Sequence, residues 1–205
     1  MTTHAPKSRP YHHGDLRAAL LAAAERLMAE TGSASFGLRE VARAAGVSHN
    51  APYNHFADRR ALLAAVATRA FEDLRAALEA ARDEAGADPV ARLRAIAQGY
   101  VAFAGHAPAR SRLMFGAELA NHPDAALRDA SAAAFDILRA TIAEGVAARR
   151  LRADPAGTHA LAAWALVHGL ATLAIDGRTG PSDAPALAAL TGSVADTLIE
   201  GLRAR

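Results

Sequence analysis

The side chains best equipped for chemistry crowd into nine residues. Between Ser48 and Phe56 stand His49, Asn50, Tyr53, Asn54 and His55, whose amide, imidazole and phenol groups would be costly to bury without partners. An asparagine amide suits bidentate pairing with adenine, and serine or histidine can bond several base edges. Tyrosine hydroxyl, imidazole and guanidinium are ordinary phosphate partners that set register without reading sequence. Arg39 and Arg59 flank the cluster and extend that chemistry. Lys7 and Arg9 sit in a polar N-terminal run; a solvated tail and an arm that follows the duplex or enters its minor groove are both open readings.

A second set lies further on. Tyr100, Phe103, Leu113, Met114, Phe115, Phe135, Leu138, Trp164 and His168 are large and mostly apolar, the usual make-up of a small-molecule site. Taken singly, each fits an ordinary core as well. Trp164 and His168 are four apart and share a helical face. An imidazole there could orient a ligand's carbonyl or hydroxyl, or be a satisfied core histidine.

Other chemistry finds little support. His12, His13 and Asp15 could ligate a metal, but they adjoin a helix start where Asp15 fits a cap. There is no HExxH or ExxH pair, no glycine-rich phosphate loop, and no evident base beside Ser111 or Ser131. No enzymatic activity, metal or cofactor is expected.

The elements that must position these residues read as helices throughout, giving an all-α fold. Residues 38–56 form two short helices joined by a turn. Leu38, Val41 and Ala42 mark the apolar side of the first. Gly46 stands where a left-handed residue must end it, Val47 plugs the corner, and Ser48 fits as cap of the second. This is the helix-turn-helix pattern, whose second helix enters the major groove. An ordinary helical corner would not need so polar a second helix. Pro52 removes an early N–H of that helix, so its start is tighter or offset by one residue. A helix from about Asp15 to Glu30 precedes the pair, and a long one from Asp58 to about Glu84 follows. Further helices span about Pro89–Gly105, Ala109–Met114, Asp124–Arg150 and Asp154–Asp176, with a last one after the turn-rich 177–185.

The final two helices differ from the rest. Residues 160–175 are apolar nearly all round, and Leu187, Leu190, Val194 and Leu198 form a stripe on the last helix. With Leu166 and Leu170 they are expected to form an interface with a second copy; a buried central helix in a monomer is the alternative.

Composition sets the outer bounds. Apolar residues make up 52% of the 205, enough for a substantial core. There is no cysteine, which suits a reducing cytoplasm. No signal peptide or membrane span is read. Residues 1–70 hold nine cations against five anions, whereas the remainder is slightly acidic. The basic excess lies with the helix-turn-helix, as expected of a DNA-contacting head.

YHHGDLRAALLAAAERLMAETG, LREVARAAGVS, YNHF and DRRALLAAV, in that order and spacing, resemble the tetracycline-repressor (TetR) family of bacterial regulators. The body is similar to a branch with a tryptophan-histidine-glycine signature, here Trp164, His168 and Gly169. The resemblance implies a homodimer of all-α subunits pairing through the last two helices as a four-helix bundle. It implies an arm at 1–13, a DNA-binding head at 14–66 and an effector-binding and dimerisation body at 67–205. By position, Ser48, His49, Asn50, Ala51 and Asn54 would face the groove, and Tyr53, His55 and Arg59 would meet phosphates. Gly37 replaces the hydroxyl cap common in the family, leaving only its N–H for a phosphate. The expected function is repression at a palindromic operator, relieved by a small hydrophobic or aromatic effector. Ligand-independent or co-repressor-dependent regulation is the alternative.

Overall fold

The computed structural model describes residues 13–180 and 183–204, with side chains from Leu16. The fold is all-α, as expected. Helix α1 (His13–Thr31), α2 (Leu38–Ala44) and a single 3-10 turn (Ala51–Asn54) make the head. Helix α3 (Arg59–Glu84) leaves it and is followed by α4 (Pro89–His106), α5 (Pro108–Phe115), α6 (Ala125–Ala147), α7 (His159–Ile175) and α8 (Ala184–Leu202). The head's core is closed by Leu20, Ala23, Met28, Phe36, Val41 and Phe56, each 5% exposed or less. Gly46 takes the left-handed φ of 70° that the turn after α2 requires.

Aspartates start most of the body helices. Asp58, Asp88, Asp124 and Asp183 each accept from a backbone N–H in the first turn of α3, α4, α6 and α8 respectively. Helix α3 is the spine. Its 26 residues rise about 39 Å. Leu62, Leu63 and Val66 are buried near its start, and Phe71, Leu74 and Leu78 further along.

Three boundaries differ from the sequence reading. The Asp154-Pro155 pair does not begin a helix. Asp154 instead accepts from the N–H groups of Thr158 and His159, so α7 starts four residues later, after a turn through Gly157. Helix α6 stops at Ala147, and Leu151 packs into the core beside Gly145, where an added Cβ would lie 2.7 Å from its side chain. The second helix of the pair is only a 3-10 turn, capped at Asn50 and not Ser48. Pro52 explains this: it lacks an N–H, suits the first positions of a turn, and is buried.

Candidate DNA-binding surface and ligand cavity

The polar cluster of the head is held outward by what lies beneath it. Pro52 and Phe56 are buried, Ala51 is half-buried, and Ser48, His49, Asn50, Tyr53 and Asn54 are exposed on one short stretch. Tyr53 is 52% exposed, a large aromatic in open solvent. Arg39 is exposed on α2. His55 is half-buried, and its Nε2 is enclosed with no hydrogen-bond partner among the described residues, so that atom does not face a phosphate. The guanidinium of Arg17 lies 5.4 Å from the Phe56 ring centroid, a cation beside the cluster that the motif alone did not indicate. Arg9 lies outside the described residues.

Two expected backbone contacts are otherwise engaged. The Gly37 N–H donates to the Glu40 carboxylate at 2.8 Å, closing a local cap in place of a phosphate contact. Arg59 is turned inward. Its guanidinium donates to the carbonyls of Ala34 and Phe36 and pairs with Glu118 of the segment after α5. Arg60 donates to the Glu118 carbonyl at 3.1 and 3.2 Å. The start of α3 is therefore strapped to the body, and Arg59 is not a free phosphate contact in this arrangement.

The body holds an open-sided cavity of about 440 Å³ between α3, α4, α6, α7 and α8, with the exposed Arg128, Ala132 and Leu161 among its lining residues. Alanines make the room: Ala97, Ala134, Ala163 and Ala195 line it from four different helices. Of the residues expected to bind an effector, Tyr100, Phe115, Phe135, Leu138 and Trp164 line this space. Phe71, Leu74, Leu78 and Ile96 line it too and were not anticipated. Their helical spacing marks them as buried without showing against what. Leu113 and Met114 are buried but line neither this space nor the one beside it, and Phe103 packs beneath Arg110. His168 lines a second, smaller space of about 230 Å³ with Ser111, Arg112, Thr172 and Asp176.

A polar contact sits between the two spaces. The Tyr100 hydroxyl and His168 Nδ1 are 2.9 Å apart. Burial pushes the Tyr100 phenol up to about 12, against a hydrogen bond from Trp164 that lowers it. Burial also lowers His168 below the usual imidazole range. Both groups are neutral at pH 7. The phenol O–H donates to Nδ1 when the imidazole carries its proton on Nε2, and the phenol oxygen accepts from Nδ1–H in the other tautomer. The Phe115 ring stands edge-on to His168, with ring centroids 4.5 Å apart.

The residues expected at the interface lie partly within the subunit. Leu170 is buried, Leu187, Leu190 and Val194 are half-buried against the core, and Leu166 and Leu198 line the cavity. What α7 leaves open is Leu161, Ala162, Ala165, Gly169 and Leu173, with the two leucines 55% and 47% exposed. A Cβ on Gly169 would meet nothing within 4 Å, so this glycine serves no close packing inside the subunit.

Among the described residues there is no group of acidic residues and histidines able to hold a metal ion, and no helix long and apolar enough to cross a membrane. Residues 20–66 match the family model for bacterial regulatory proteins of the tetR family, and residues 93–198 match the tetracyclin repressor-like C-terminal domain. No curated protein matches the chain. Among solved structures, a protein of unknown function from Rhodococcus sp. RHA1 is 39% identical, with 97% of this chain and 100% of that one covered and a TM-score of 0.84. A regulatory protein in the tetR family from Rhodococcus RHA1 is 22% identical over 90% and 96% of the two chains, with a TM-score of 0.72. The transcriptional regulator FadR of Bacillus subtilis, solved with stearoyl-CoA, is 17% identical over 91% and 99%, with a TM-score of 0.70. At that identity the likeness is one of fold.

Proposed function

Because the chain belongs to the tetR family of bacterial regulatory proteins, we propose that it is a homodimeric repressor, acting on DNA in the cytoplasm, that leaves a palindromic operator when a small apolar or aromatic effector enters its body. The observation that carries the DNA-binding reading is the exposure of Ser48, His49, Asn50, Tyr53 and Asn54 together over a buried Pro52 and Phe56. Asn50 and Asn54 read base edges, and Tyr53 and Arg39 hold the backbone. Residues 1–13 serve as an arm, 14–66 as the head and 67–205 as the sensing and pairing body. Two heads of a dimer address half-sites about 34–36 Å apart.

Pairing uses the open face of α7, with Leu161, Ala165, Gly169 and Leu173 at its centre, together with the outer side of α8. Small residues on this face allow close approach of a second copy, and the two leucines supply apolar area. Trp164, His168 and Gly169 act as the body's signature in three ways: Trp164 walls the cavity, His168 bonds Tyr100, and Gly169 faces the partner.

The route from effector to DNA is short. Phe115 walls both cavities, and Glu118, three residues on, holds Arg59 and Arg60 at the head's exit. An effector that shifts Phe115 moves Glu118 and so biases the angle of α3, lowering DNA affinity by population shift. Selection of genomic fragments by the purified protein at stated salt, followed by footprinting, tests the reading. A protected near-palindrome bound by a dimer supports it. Uniform, salt-sensitive binding alone would remove the base-reading assignment.

A further inference from the structure

The two cavities differ in chemistry and share one wall. The larger is bounded mostly by carbon, with Arg128 and Ser131 among its lining residues, whereas the smaller gathers Ser111, Arg112, His168, Thr172 and Asp176. Tyr100 and Phe115 line both. The smaller one reaches the surface: Arg112 and Asp176 are about half exposed and paired at 2.8 Å. Its hydroxyls are already committed as donors, Ser111 to the Ala104 carbonyl and Thr172 to the His168 carbonyl. The groups left for a guest are the Arg112 guanidinium and, when the Tyr100 phenol donates to Nδ1, the His168 Nε2–H. Arg112 has five N–H groups and spends one on Asp176.

We propose that the effector is an amphiphile whose apolar body fills the large cavity and whose hydrogen-bond-accepting head, a carboxylate or carbonyl, passes the Tyr100–Phe115 partition to sit with His168 and Arg112. This rests on the effector-binding reading above and names the ligand class for it. The partition is a ring and not a backbone segment. Phe115 is half-buried at the end of α5, so a rotation of its side chain joins the two spaces. A purely apolar guest would leave the polar chamber and its donors unused. A cationic head would meet the Arg112 guanidinium, and the Asp176 carboxylate that could receive it is already paired with Arg112 at 2.8 Å. Because the chamber opens outward, a head larger than a carboxylate can extend into solvent.

Trp164 is the sole tryptophan of the chain and lines the large cavity, so its fluorescence reports occupancy directly. The test titrates the intact protein with decanoate, with decylamine, which has the same tail but a donor-only head, and with butylbenzene, which has no head. The expected order is decanoate tightest, with decylamine at least tenfold weaker. His168→Phe keeps an aromatic ring and removes the donor; Arg112→Gln lies on the surface and spares the core. Each is expected to weaken decanoate about tenfold, the scale of a hydrogen bond to a charged group, and to leave butylbenzene unchanged. Binding of all three probes with equal affinity, indifferent to both substitutions, overturns the two-chamber assignment while leaving the cavity as a sensor site. No fluorescence change and no thermal stabilisation by any probe would overturn the effector-binding reading itself.

Discussion

Filling the cavity should stabilise the protein and deafen it. Ala134 on α6 and Ala97 on α4 line the large space and are 4% and 5% exposed, so a leucine at either position extends into the cavity and not into solvent. Leucine adds three carbons. At about 0.8 kcal/mol per buried CH₂ the gain is about 2.4 kcal/mol. Ordering the new side chain takes back about 0.5–1 kcal/mol, and helix propensity changes little between alanine and leucine. The net is about 1.5 kcal/mol. For a chain of this length each kcal/mol moves the Tm by about 2–4 °C, so Ala134→Leu should raise it by about 3–6 °C.

Calorimetry gives the Tm, and operator titration with and without effector gives the function. Operator binding should persist, because nothing in the head changes, while effector-induced release should be lost. A Tm that falls by a similar amount would mean that the space cannot accept three carbons without strain, and the reasoning about the cavity would fail. A raised Tm with intact effector response would place the effector elsewhere.

Further outcomes follow from the same geometry. Asn50→Ala should relax sequence preference, whereas Tyr53→Phe should weaken cognate and random DNA alike; competition binding separates the two, and equal losses for Asn50→Ala would defeat its base-reading role. Leu173→Glu on the open face of α7 should convert dimer to monomer in light scattering, and an unchanged mass would move the interface off this face. His168 titrates below its ordinary range when folded, so the folded state binds its proton less readily than the unfolded chain. Stability should therefore be full above about pH 6.5 and decline as pH falls towards the folded value; His168→Gln should flatten that part of the pH–stability curve. Glu118→Gln should shift the effector concentration needed for operator release, and a release curve identical to the parent's would exclude the strap as the route.

Much of this was written locally in the chain. The Gly46 turn, the aspartate caps at 58, 88, 124 and 183, and the polar run after Ser48 each depend on neighbours within four residues. Pro52 also announced a disturbed start, and the structure resolves it as a single 3-10 turn. Asp154 misled because the same carboxylate can cap a helix at once or after a turn, and only the Gly157 conformation decides. The cavity was half legible. Aromatic positions advertised a site, but its volume comes from alanines on four helices that mean nothing until the helices are assembled. Which face of α7 stays open was not legible for a related reason. On a helix apolar nearly all round, pattern cannot say which side meets the subunit's own core, and the small residues between the leucines turned out to face outward.

The strap at Glu118 was the least legible feature, since it lies 59 residues from Arg59 on an irregular segment, and its energy limits what the mechanism can do. Both side chains are about one-third exposed, so the carboxylate's contribution is about 1 kcal/mol rather than that of a buried pair. One strap then supports only about a fivefold change in DNA affinity, at the low end of allosteric coupling. Two straps, one in each subunit of a dimer whose heads bind together, would double the free energy and give about thirtyfold. Glu118→Gln leaves Arg59 its carbonyl partners at Ala34 and Phe36, so the head should stay folded while the coupling shrinks. Arg59→Ala removes those bonds as well and strands the two carbonyls, so it should also lower the Tm. A variant that loses the effector response while its Tm falls by no more than about 2–4 °C, the shift that the pair's own energy implies, is what separates a transmitting contact from a merely stabilising one, and Glu118→Gln is the substitution positioned to show it.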